Sequence, residues 1–307
     1  MFDLFRKLDR IGSGGYADVY RAQNIFSKEY AARKELRVSS PENLRRFERE
    51  RDMLKLYGGT GYFPKYIYDN LQASPPYIIM ELSTFGSLEQ FVGQPVDVKR
   101  CLRWLIDVAH AVEIIQRNNH KHRDIKPSNL LIYFRNGQER VGLSDFGIAQ
   151  RPDTNGTKTN SPLGTKEYLD PIALRDNFFY PQSDVFALGK TMRELLTGFR
   201  EPSIFRQIPG PASVTALINS MTSEDIYSRP SPQVIYQAAE NILRDIETAE
   251  REAMQAKQAQ AEQSSGGGLW LLGLAAAALA YATSNSYDSK VDRFRDNNGK
   301  FRPGRWG

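Results

Sequence analysis

Hydrophobic and polar positions divide the chain into a long packed segment and a C-terminal part of different character. Up to about Ile246, apolar positions recur first with the period of strands and then with that of helices, and turn residues occur at short spacing. Residues 247–263 are mostly Ala, Glu, Gln and Lys without a sustained apolar stripe. The pattern predicts one domain, strand-rich at first and then helical, followed by an exposed helical stalk.

Three strands are predicted near the start of this domain. Residues 7–11 and 18–22 form the first two, and the glycine-rich turn 12–17 joins them. Residues 30–36 form the third strand. We expect the three to lie in one sheet with the turn at its edge.

A helix is predicted to follow, with Ser40 as its N-cap, Pro41 at its first position and an end near Tyr57. Its apolar face includes Phe47 and Leu54, which lie three residues before and four residues after Glu50. Because a carboxylate on an apolar face is costly unless a cation meets it, we expect a buried partner for Glu50.

Composition narrows the possible functions without choosing one. The chain has 307 residues, 40% apolar and 25% charged, enough for one large or two modest domains. A single cysteine, Cys101, excludes an internal disulfide, and with three histidines it excludes a Cys/His zinc site. The net charge of +5 comes from dispersed basic residues, so nucleic acid binding is not indicated.

Charged residues precede any apolar run at the N-terminus, so we expect no secretory signal and a cytoplasmic first domain.

Two local features offer places for phosphate. Gly12 and Gly14 lack side chains that would keep backbone N–H groups away from a phosphate, although an ordinary glycine-rich hairpin is the alternative for this turn alone. Lys34 follows two alanines that leave room for a flat ligand, and it is the natural cation for Glu50. A Lys–Glu pair by itself is usually structural.

The densest group of reactive side chains is His122-Arg123-Asp124-Ile125-Lys126-Pro127-Ser128-Asn129. An Asn136-Gly137 hairpin turn follows, and then Asp145-Phe146-Gly147. With the turn centred near Gly137, an antiparallel hairpin returns Asn129 and Asp145 to the same end. A carboxylate and an amide suit Mg²⁺ that also binds substrate phosphates, and Asp124 lies nearby as a base.

These motifs resemble those of the eukaryotic-like (Hanks-type) Ser/Thr protein kinase superfamily, including its bacterial members, over residues 5–246. The turn 11–19 resembles the glycine-rich loop of that family, with Ala17 in place of the third glycine. The resemblance implies an α+β, bilobal fold in domain 1–246, with a β-rich N-lobe over residues 1–82 and a helical C-lobe over residues 83–246.

The resemblance also assigns roles to individual residues. It implies that Lys34 holds the α- and β-phosphates of ATP and pairs with Glu50, and that Asp124 orients or deprotonates the substrate hydroxyl. Lys126 would steady the transferred phosphoryl group, and Asn129 with Asp145 would hold Mg²⁺. The implied hinge between the lobes gives adenine backbone contacts from Glu81 to Ser83, and it makes Met80 the gatekeeper. The apolar walls around the base would be Ile11, Val19, Ala32 and Leu131.

The same resemblance also bears on substrate class and regulation. Lys126 and Thr165 resemble the serine/threonine branch, so proteins with Ser or Thr hydroxyls are the expected substrates. Arg123 directly before the base suits pairing with a phosphate on the following loop, where the candidate sites are Thr154, Thr157, Thr159 and Ser161. Autophosphorylation there would involve self-association. A plain polar surface loop is the alternative.

One departure from the family pattern concerns an ion pair. The chain has Asp170-Pro171-Ile172 where the family usually has Ala-Pro-Glu, so the acid expected for Arg229 is absent. We expect Arg229 to pair with another acid, with Asp170 and Glu167 as candidates, or to be more exposed than is usual. The spacing from Gly189 to Arg229 is also short, which predicts a trimmed substrate-docking surface.

Three functions are compatible with these residues. The leading one is an active Ser/Thr protein kinase that uses ATP and Mg²⁺ and phosphorylates its own loop. The second is a pseudokinase that acts as an ATP-binding scaffold, against which the full set of reactive residues argues. The third is a small-molecule phosphotransferase of related fold, against which Arg123, Lys126 and the Asp-Phe-Gly triplet argue.

The C-terminal segments are the stalk and Gly-rich linker 247–268, the apolar stretch 269–283 and the polar basic tail 284–307. The apolar stretch is slightly short to cross a bilayer. Positive charges favour the cytoplasmic side of a membrane, so those of the tail oppose a span that would place tail and kinase on opposite sides. A membrane anchor, a membrane-surface or partner-buried helix, and a self-packed helix stay open. The tail lacks the apolar content to fold alone, so we expect it to be disordered.

Overall fold

The computed structural model describes residues 3–38, 40–146, 165–200 and 207–264. Two compact units divide the chain, Met1–Ile246 and Glu247–Gly307. The first unit begins with an antiparallel sheet and continues with helices, which confirms the predicted α+β, two-lobed architecture. The candidate phosphorylation sites between Thr154 and Ser161, the apolar stretch 269–283 and the tail 284–307 lie outside the described residues.

The N-lobe is a five-stranded antiparallel sheet in the order β1-β2-β3-β5-β4. Its strands are β1 (Phe5–Ser13), β2 (Ala17–Asn24), β3 (Tyr30–Leu36), β4 (Tyr66–Asn70) and β5 (Tyr77–Met80). The third strand has the predicted limits, whereas β1 and β2 extend two residues beyond the prediction at nearly every end. The glycine turn lies between β1 and β2 as predicted.

Helix α1 (Pro41–Tyr57) connects β3 to β4 and has the predicted limits. Ser40 caps it, because the Ser40 hydroxyl accepts a hydrogen bond from the Asn43 N–H at 3.2 Å. After α1 the chain turns at Gly58, where an added Cβ would lie 2.7–2.8 Å from backbone atoms of Leu54, Pro64 and Tyr66. Only glycine fits this close approach of the α1 end to the start of β4.

The C-lobe is built around two long helices and a hairpin. Its elements are α2 (Val98–Arg117), β6 (Leu130–Arg135), β7 (Gln138–Leu143), α3 (Pro171–Asp176), α4 (Pro181–Thr197), α5 (Ala212–Met221) and α6 (Pro232–Ser264). Helices α2 and α4 pack against each other, and their buried faces include Leu105, Val108 and Leu188. One apolar core continues from these helices to Ile78 and Met80 of the sheet. Within the described parts of the chain, no helix is both long enough and apolar enough to cross a membrane.

The β6–β7 hairpin closes with Asn136 and Gly137, both of which have positive φ (52° and 77°). A two-residue turn of this kind matches the right-handed twist of the strands and fixes the register. Leu130 therefore pairs with Leu143, and the Ser144 N–H bonds to the Asn129 carbonyl at 2.9 Å. The predicted return of Asn129 and Asp145 to the same end of the hairpin is confirmed, although the turn centres between the two loop residues and not on Gly137. Asp145 follows one residue after the position opposite Asn129.

Candidate active site

The glycine turn between β1 and β2 has room for a Cβ atom at both Gly12 and Gly14. An added Cβ at Gly12 would meet Val19 at 3.7 Å, and one at Gly14 would meet the Ala17 carbonyl at 3.5 Å, both ordinary contact distances. Neither glycine has a positive φ. The packing and backbone of the protein do not require glycine here, and the missing side chains would allow a ligand to approach the backbone closely.

Lys34 and Glu50 form a buried ion pair behind this turn. The Lys34 Nζ lies 2.6 Å from Glu50 Oε1, and the two side chains are 8% and 2% exposed. This contact confirms the expected buried partner for Glu50. Burial opposes the charge of Lys34, but Asp145 and Glu50 outweigh it and raise the Lys34 pKa well above its usual value. Lys34 therefore stays cationic under the glycine turn.

Tyr16, at the tip of the glycine turn, is a site residue that the sequence analysis missed. Its hydroxyl donates a hydrogen bond to Glu50 Oε2 at 2.9 Å, so both oxygens of that carboxylate have partners. Burial and the nearby Glu50 charge raise the pKa of Tyr16, so it remains a donor. The available signal was an aromatic residue inside a glycine turn, but its partner lies 34 positions away.

Asp145 reaches the same cation from the C-lobe. Its Oδ1 lies 3.3 Å from Lys34 Nζ, and 42% of its side chain is exposed. The backbone of Asp145 has a φ of 67°, a strained value for a residue with a side chain. The next residue, Phe146, is buried with its ring centroid 5.5 Å from Phe63 and 5.3 Å from His122. Because the Phe146 side chain is held by this packing, the position of the adjacent Asp145 is fixed as well.

Asp124 lies at the centre of a hydrogen-bonded group. Its Oδ2 is 2.8 Å from Lys126 Nζ and accepts from Asn129 Nδ2 at 3.0 Å. Its Oδ1 accepts from the Thr165 N–H at 3.1 Å and from the Thr165 hydroxyl at 3.0 Å. Lys126 also donates to the Thr165 hydroxyl at 2.6 Å. A carboxylate held this way is fixed in position as an acceptor for a further proton.

A buried carboxylate beneath this group fixes the backbone that carries it. Asp184 on α4 accepts the N–H groups of His122 and Arg123, each at 2.8 Å. Burial raises the pKa of Asp184, while these hydrogen bonds and the charges of His122 and Arg123 oppose the rise. Arg123 has a φ of 72°, and its buried Nε has no hydrogen-bond partner among the described residues. The loop that was predicted to supply a phosphate for Arg123 lies outside those residues.

The donor set fits a magnesium ion. Asn129 Nδ2 donates to both the backbone carbonyl and the carboxylate of Asp124, so the amide oxygen of Asn129 is the atom left to bind a cation. Asp145 supplies a half-exposed carboxylate. Among the described residues no group of three or more His, Cys, Asp or Glu side chains forms a metal site. One carboxylate and one amide suit an ion that completes its shell with water and substrate phosphate.

Most of the implied nucleotide-binding residues lie on one face of the N-lobe sheet, and Leu131 lies on β6. Ala32 and Lys34 are two residues apart on β3, so they project from the same face, and they pair with Met80 and with Val19. Ile11 is half-buried at the end of β1, and Leu131 of β6 pairs with Ser87. In the hinge segment, the Glu81 N–H bonds to the Lys65 carbonyl at 2.8 Å, and the Ser83 hydroxyl bonds to the Gly86 carbonyl at 2.7 Å.

The departure at Ile172 is compensated within the same motif. Arg229 donates from Nη1 to Asp170 Oδ2 at 2.6 Å and from Nη2 to Asp170 Oδ1 at 2.9 Å, and both side chains are fully buried. The prediction that Arg229 pairs with a nearby acid is confirmed, with Asp170 as the acid. Asp170 also caps α3 through the Ile172 N–H at 3.1 Å.

The two-lobed fold, the buried Lys34–Glu50 pair and the hydrogen-bonded group around Asp124 are what the motifs predict for protein kinases. A family model described as "Protein kinase domain" matches residues 5–246. The chain therefore belongs to the protein kinase family, and its matched segment covers the whole N-lobe sheet and the C-lobe helices up to the first turns of α6.

Curated relatives include bacterial serine/threonine-protein kinases. PrkC of Bacillus subtilis is 32% identical over 265 aligned residues, which cover 78% of this chain and 39% of the relative. The probable kinase PknB of Lactococcus lactis is 27% identical, covering 80% of this chain and 42% of the relative. Pkn1 of Myxococcus xanthus is 28% identical, covering 79% and 34%. The chain thus spans about two fifths or less of the length of these relatives.

Proposed function

We propose that the chain is a serine/threonine protein kinase that transfers the γ-phosphoryl group of ATP to Ser or Thr hydroxyls of proteins. The observation that carries the proposal is the group in which Lys126 and Thr165 both contact the Asp124 carboxylate. This group presents an acceptor for a hydroxyl proton beside a cation that can meet a phosphoryl group. The names of the bacterial relatives support the same substrate class.

In the proposed reaction, the substrate hydroxyl oxygen forms a bond to the γ-phosphorus while the bond from that phosphorus to the β–γ bridging oxygen breaks. The bond electrons leave with ADP, and the hydroxyl proton passes to an oxygen of Asp124. Lys126 Nζ, which is 2.8 Å from Asp124 Oδ2, offsets negative charge on the transferred group. Thr165 keeps the Asp124 carboxylate in one orientation through two hydrogen bonds.

Nucleotide binding is assigned to residues of both lobes. Lys34 would contact the α- and β-phosphates, and the backbone between Glu81 and Ser83 would contact adenine. Asn129 and Asp145 would hold Mg²⁺, which would neutralise phosphate charge when bound. Because Lys34 lies within 3.3 Å of both Glu50 and Asp145, its charge can be shared between the ion-pair partner and an incoming phosphate.

Nothing in the described site favours the pseudokinase alternative, since Lys34 already contacts both Glu50 and Asp145. Incubation of the purified chain with labelled ATP, Mg²⁺ and a generic basic protein tests the proposal. We expect transfer to Ser or Thr of the added protein, and a loss of about 10²–10⁴-fold for Asp124→Asn. Asp52→Asn, which changes an exposed carboxylate on α1, is the matched control. Bound ATP without transfer would support the scaffold instead.

Autophosphorylation of the loop with Thr154, Thr157, Thr159 and Ser161 is part of the proposal. The support is Arg123, whose guanidinium has a buried Nε without a partner among the described residues and would pair with a phosphate. Mass spectrometry of wild-type protein and of Asp124→Asn tests it. Phosphate on this loop in the wild type alone is expected; the same phosphate in the variant would mean that another enzyme adds it.

We propose the following division of the chain: a kinase domain over residues 1–246 that acts in the cytoplasm, the stalk and linker 247–268, the apolar segment 269–283 and the tail 284–307. A membrane anchor is one of the three alternatives for the apolar segment, beside a membrane-surface or partner-buried helix and a self-packed helix. Fractionation of cells expressing the full chain and a form that ends at Gln263 tests the anchor. If both forms stay soluble without detergent, the segment is not an anchor.

A further inference from the structure

A bidentate ion pair clamps the side chain of the first hinge residue. Arg135, at the end of β6, donates from Nε to Glu81 Oε1 at 3.1 Å and from Nη2 to Glu81 Oε2. The two side chains are 20% and 29% exposed. Glu81 follows directly after β5, so the contact joins the hairpin of the C-lobe to the segment that connects the lobes. The mechanism proposed above gives this pair no role.

The same guanidinium also holds the segment between α1 and β4. Arg135 Nη1 donates to the Gly61 carbonyl, and Nη2 donates to the Phe63 carbonyl at 3.1 Å. Two residues further, the Lys65 N–H donates to Glu81 Oε2 at 3.0 Å, and the Lys65 carbonyl accepts from the Glu81 N–H at 2.8 Å. Arg135 and Glu81 therefore tie three separate stretches of chain into one hydrogen-bonded group.

Tyr133 supports the guanidinium from below. The Arg135 guanidinium carbon lies 4.1 Å from the centroid of the Tyr133 ring, within the range of a cation–π contact. Tyr133 is 1% exposed, and its buried hydroxyl has no hydrogen-bond partner among the described residues. The ring thus serves as a fixed platform, and the planar fork of Arg135 is oriented before any ligand arrives.

The clamped segment reaches the metal-binding side of the site. Phe63, whose carbonyl Arg135 holds, is fully buried and packs with its ring centroid 5.5 Å from Phe146. Phe146 directly follows Asp145, the proposed Mg²⁺ ligand. A shift of the segment would therefore move both the hinge backbone at Glu81 and the packing behind Asp145.

From this geometry we infer that Arg135 is a positioning residue for nucleotide binding. It acts through Glu81, whose backbone would contact adenine, and through Phe63. The inference rests on the proposed function, because the ligand that the hinge would take is ATP. A bidentate pair, two carbonyl contacts and an aromatic platform all converge on one side chain, and a lysine cannot reproduce the fork.

A second Arg–Glu pair in the same lobe provides a matched control. Arg100 of α2 is bidentate to Glu139 of β7 at 2.9 and 2.7 Å, with exposed fractions of 22% and 27%. Its guanidinium also lies over an aromatic ring, 4.9 Å from the centroid of Trp104. This pair joins α2 to the hairpin and does not involve the hinge. Loss of Arg100 therefore measures what a pair of this kind contributes to folding alone.

The test compares Arg135→Ala, Arg135→Lys and Arg100→Ala in the full chain. For Arg135→Ala we expect the KM for ATP and the Kd for a fluorescent ADP analogue with Mg²⁺ to rise about tenfold, with kcat within about threefold of wild type. Arg135→Lys should resemble the alanine variant, and Arg100→Ala should stay within about twofold of wild type in both constants. Equal shifts in Arg135→Ala and Arg100→Ala, no shift in either, or an increased kcat in Arg135→Ala would overturn the inference.

Glu81→Gln covers the case in which Arg135→Ala does not fold. Glutamine keeps an acceptor for the Lys65 N–H but removes the charge that Arg135 meets, so the Kd of the ADP analogue should rise about threefold. An unchanged Kd would refute the positioning role. Wild-type protein that binds the ADP analogue but transfers no phosphate would refute the proposed function, and the binding constants would still decide the role of Arg135.

Discussion

Replacement of Asp170 by alanine removes a carboxylate that serves three contacts at once. Both of its oxygens meet Arg229, one accepts the Ser183 hydroxyl at 2.7 Å, and the other caps α3 through the Ile172 N–H. Among the described residues, Arg229 would then keep only backbone acceptors, the carbonyls of Ser223 and Gln182. The variant therefore leaves a buried guanidinium without a counter-charge.

The size of the effect follows from burial. Both side chains are 0% exposed, so the pair belongs with buried ion pairs, whose disruption by loss of one partner costs about 3–5 kcal/mol. Loss of the α3 cap alone costs about 1 kcal/mol, and it overlaps with the pair because the same carboxylate is involved. We expect the free energy of unfolding to fall by about 4 kcal/mol, which lowers Tm by roughly 8–16 °C in a domain of this size.

Urea unfolding followed by circular dichroism measures this loss. The control is Arg175→Ala, because Arg175 pairs with Asp176 on the same helix but is 73% exposed, and its loss should leave the urea midpoint nearly unchanged. A loss below about 1 kcal/mol for Asp170→Ala, the range of surface pairs, would refute the reasoning.

A second variant tests whether the acid can return to its usual place in the family. In the Asp170→Ala background, Ile172→Glu offers Arg229 a carboxylate two residues later. The substitution also removes the isoleucine side chain, which is largely buried with 9% exposure. We expect recovery of about half the loss, roughly 2 kcal/mol. Further destabilisation would show that the local backbone cannot direct a residue-172 carboxylate towards Arg229.

Three further outcomes are expected. Asp145→Ala should abolish phosphoryl transfer in the labelled-ATP assay, and activity within about tenfold of wild type would contradict its role as Mg²⁺ ligand. Tyr16→Phe, which removes the donor to Glu50 but keeps the ring, should lower kcat/KM for ATP by about three- to tenfold. Burial lowers the pKa of His110, so the unfolded chain binds that proton more readily, and stability should rise with pH up to about 6.5. His110→Gln should remove that rise in urea midpoints.

Local signals predicted the parts of the fold that local chemistry determines. Ser40 and Pro41 start α1 at the predicted residue, and the strand of Lys34 has the predicted ends. The Asn136-Gly137 turn also returns Asn129 and Asp145 to the same end of the hairpin as predicted, although its centre lies between the two turn residues. Such half-residue differences in turn geometry are not visible in composition.

Contacts between distant residues were predictable only where chemistry left few choices. Glu50 needed a cation, and Lys34 was the natural one; Arg229 needed an acid, and Asp170 was nearby in the motif. Tyr16 gave no comparable signal, because a tyrosine in a turn has no buried charge to neutralise. Arg135 gave none either, because its partner Glu81 lies 54 positions away and exposed Arg and Glu residues are common.

The different surroundings of Gly58 and Gly14 bear on how the chain tolerates mutation. At Gly58, an added Cβ would lie within 2.8 Å of backbone atoms, so a substitution should reduce the amount of folded protein in a cell and activity should fall with it. At Gly14, the Cβ would meet only ordinary contacts, so abundance should be kept while activity is lost. A mutational scan that scores abundance and activity separately would thus distinguish positions under selection for folding from positions under selection for nucleotide binding, without an alignment of relatives.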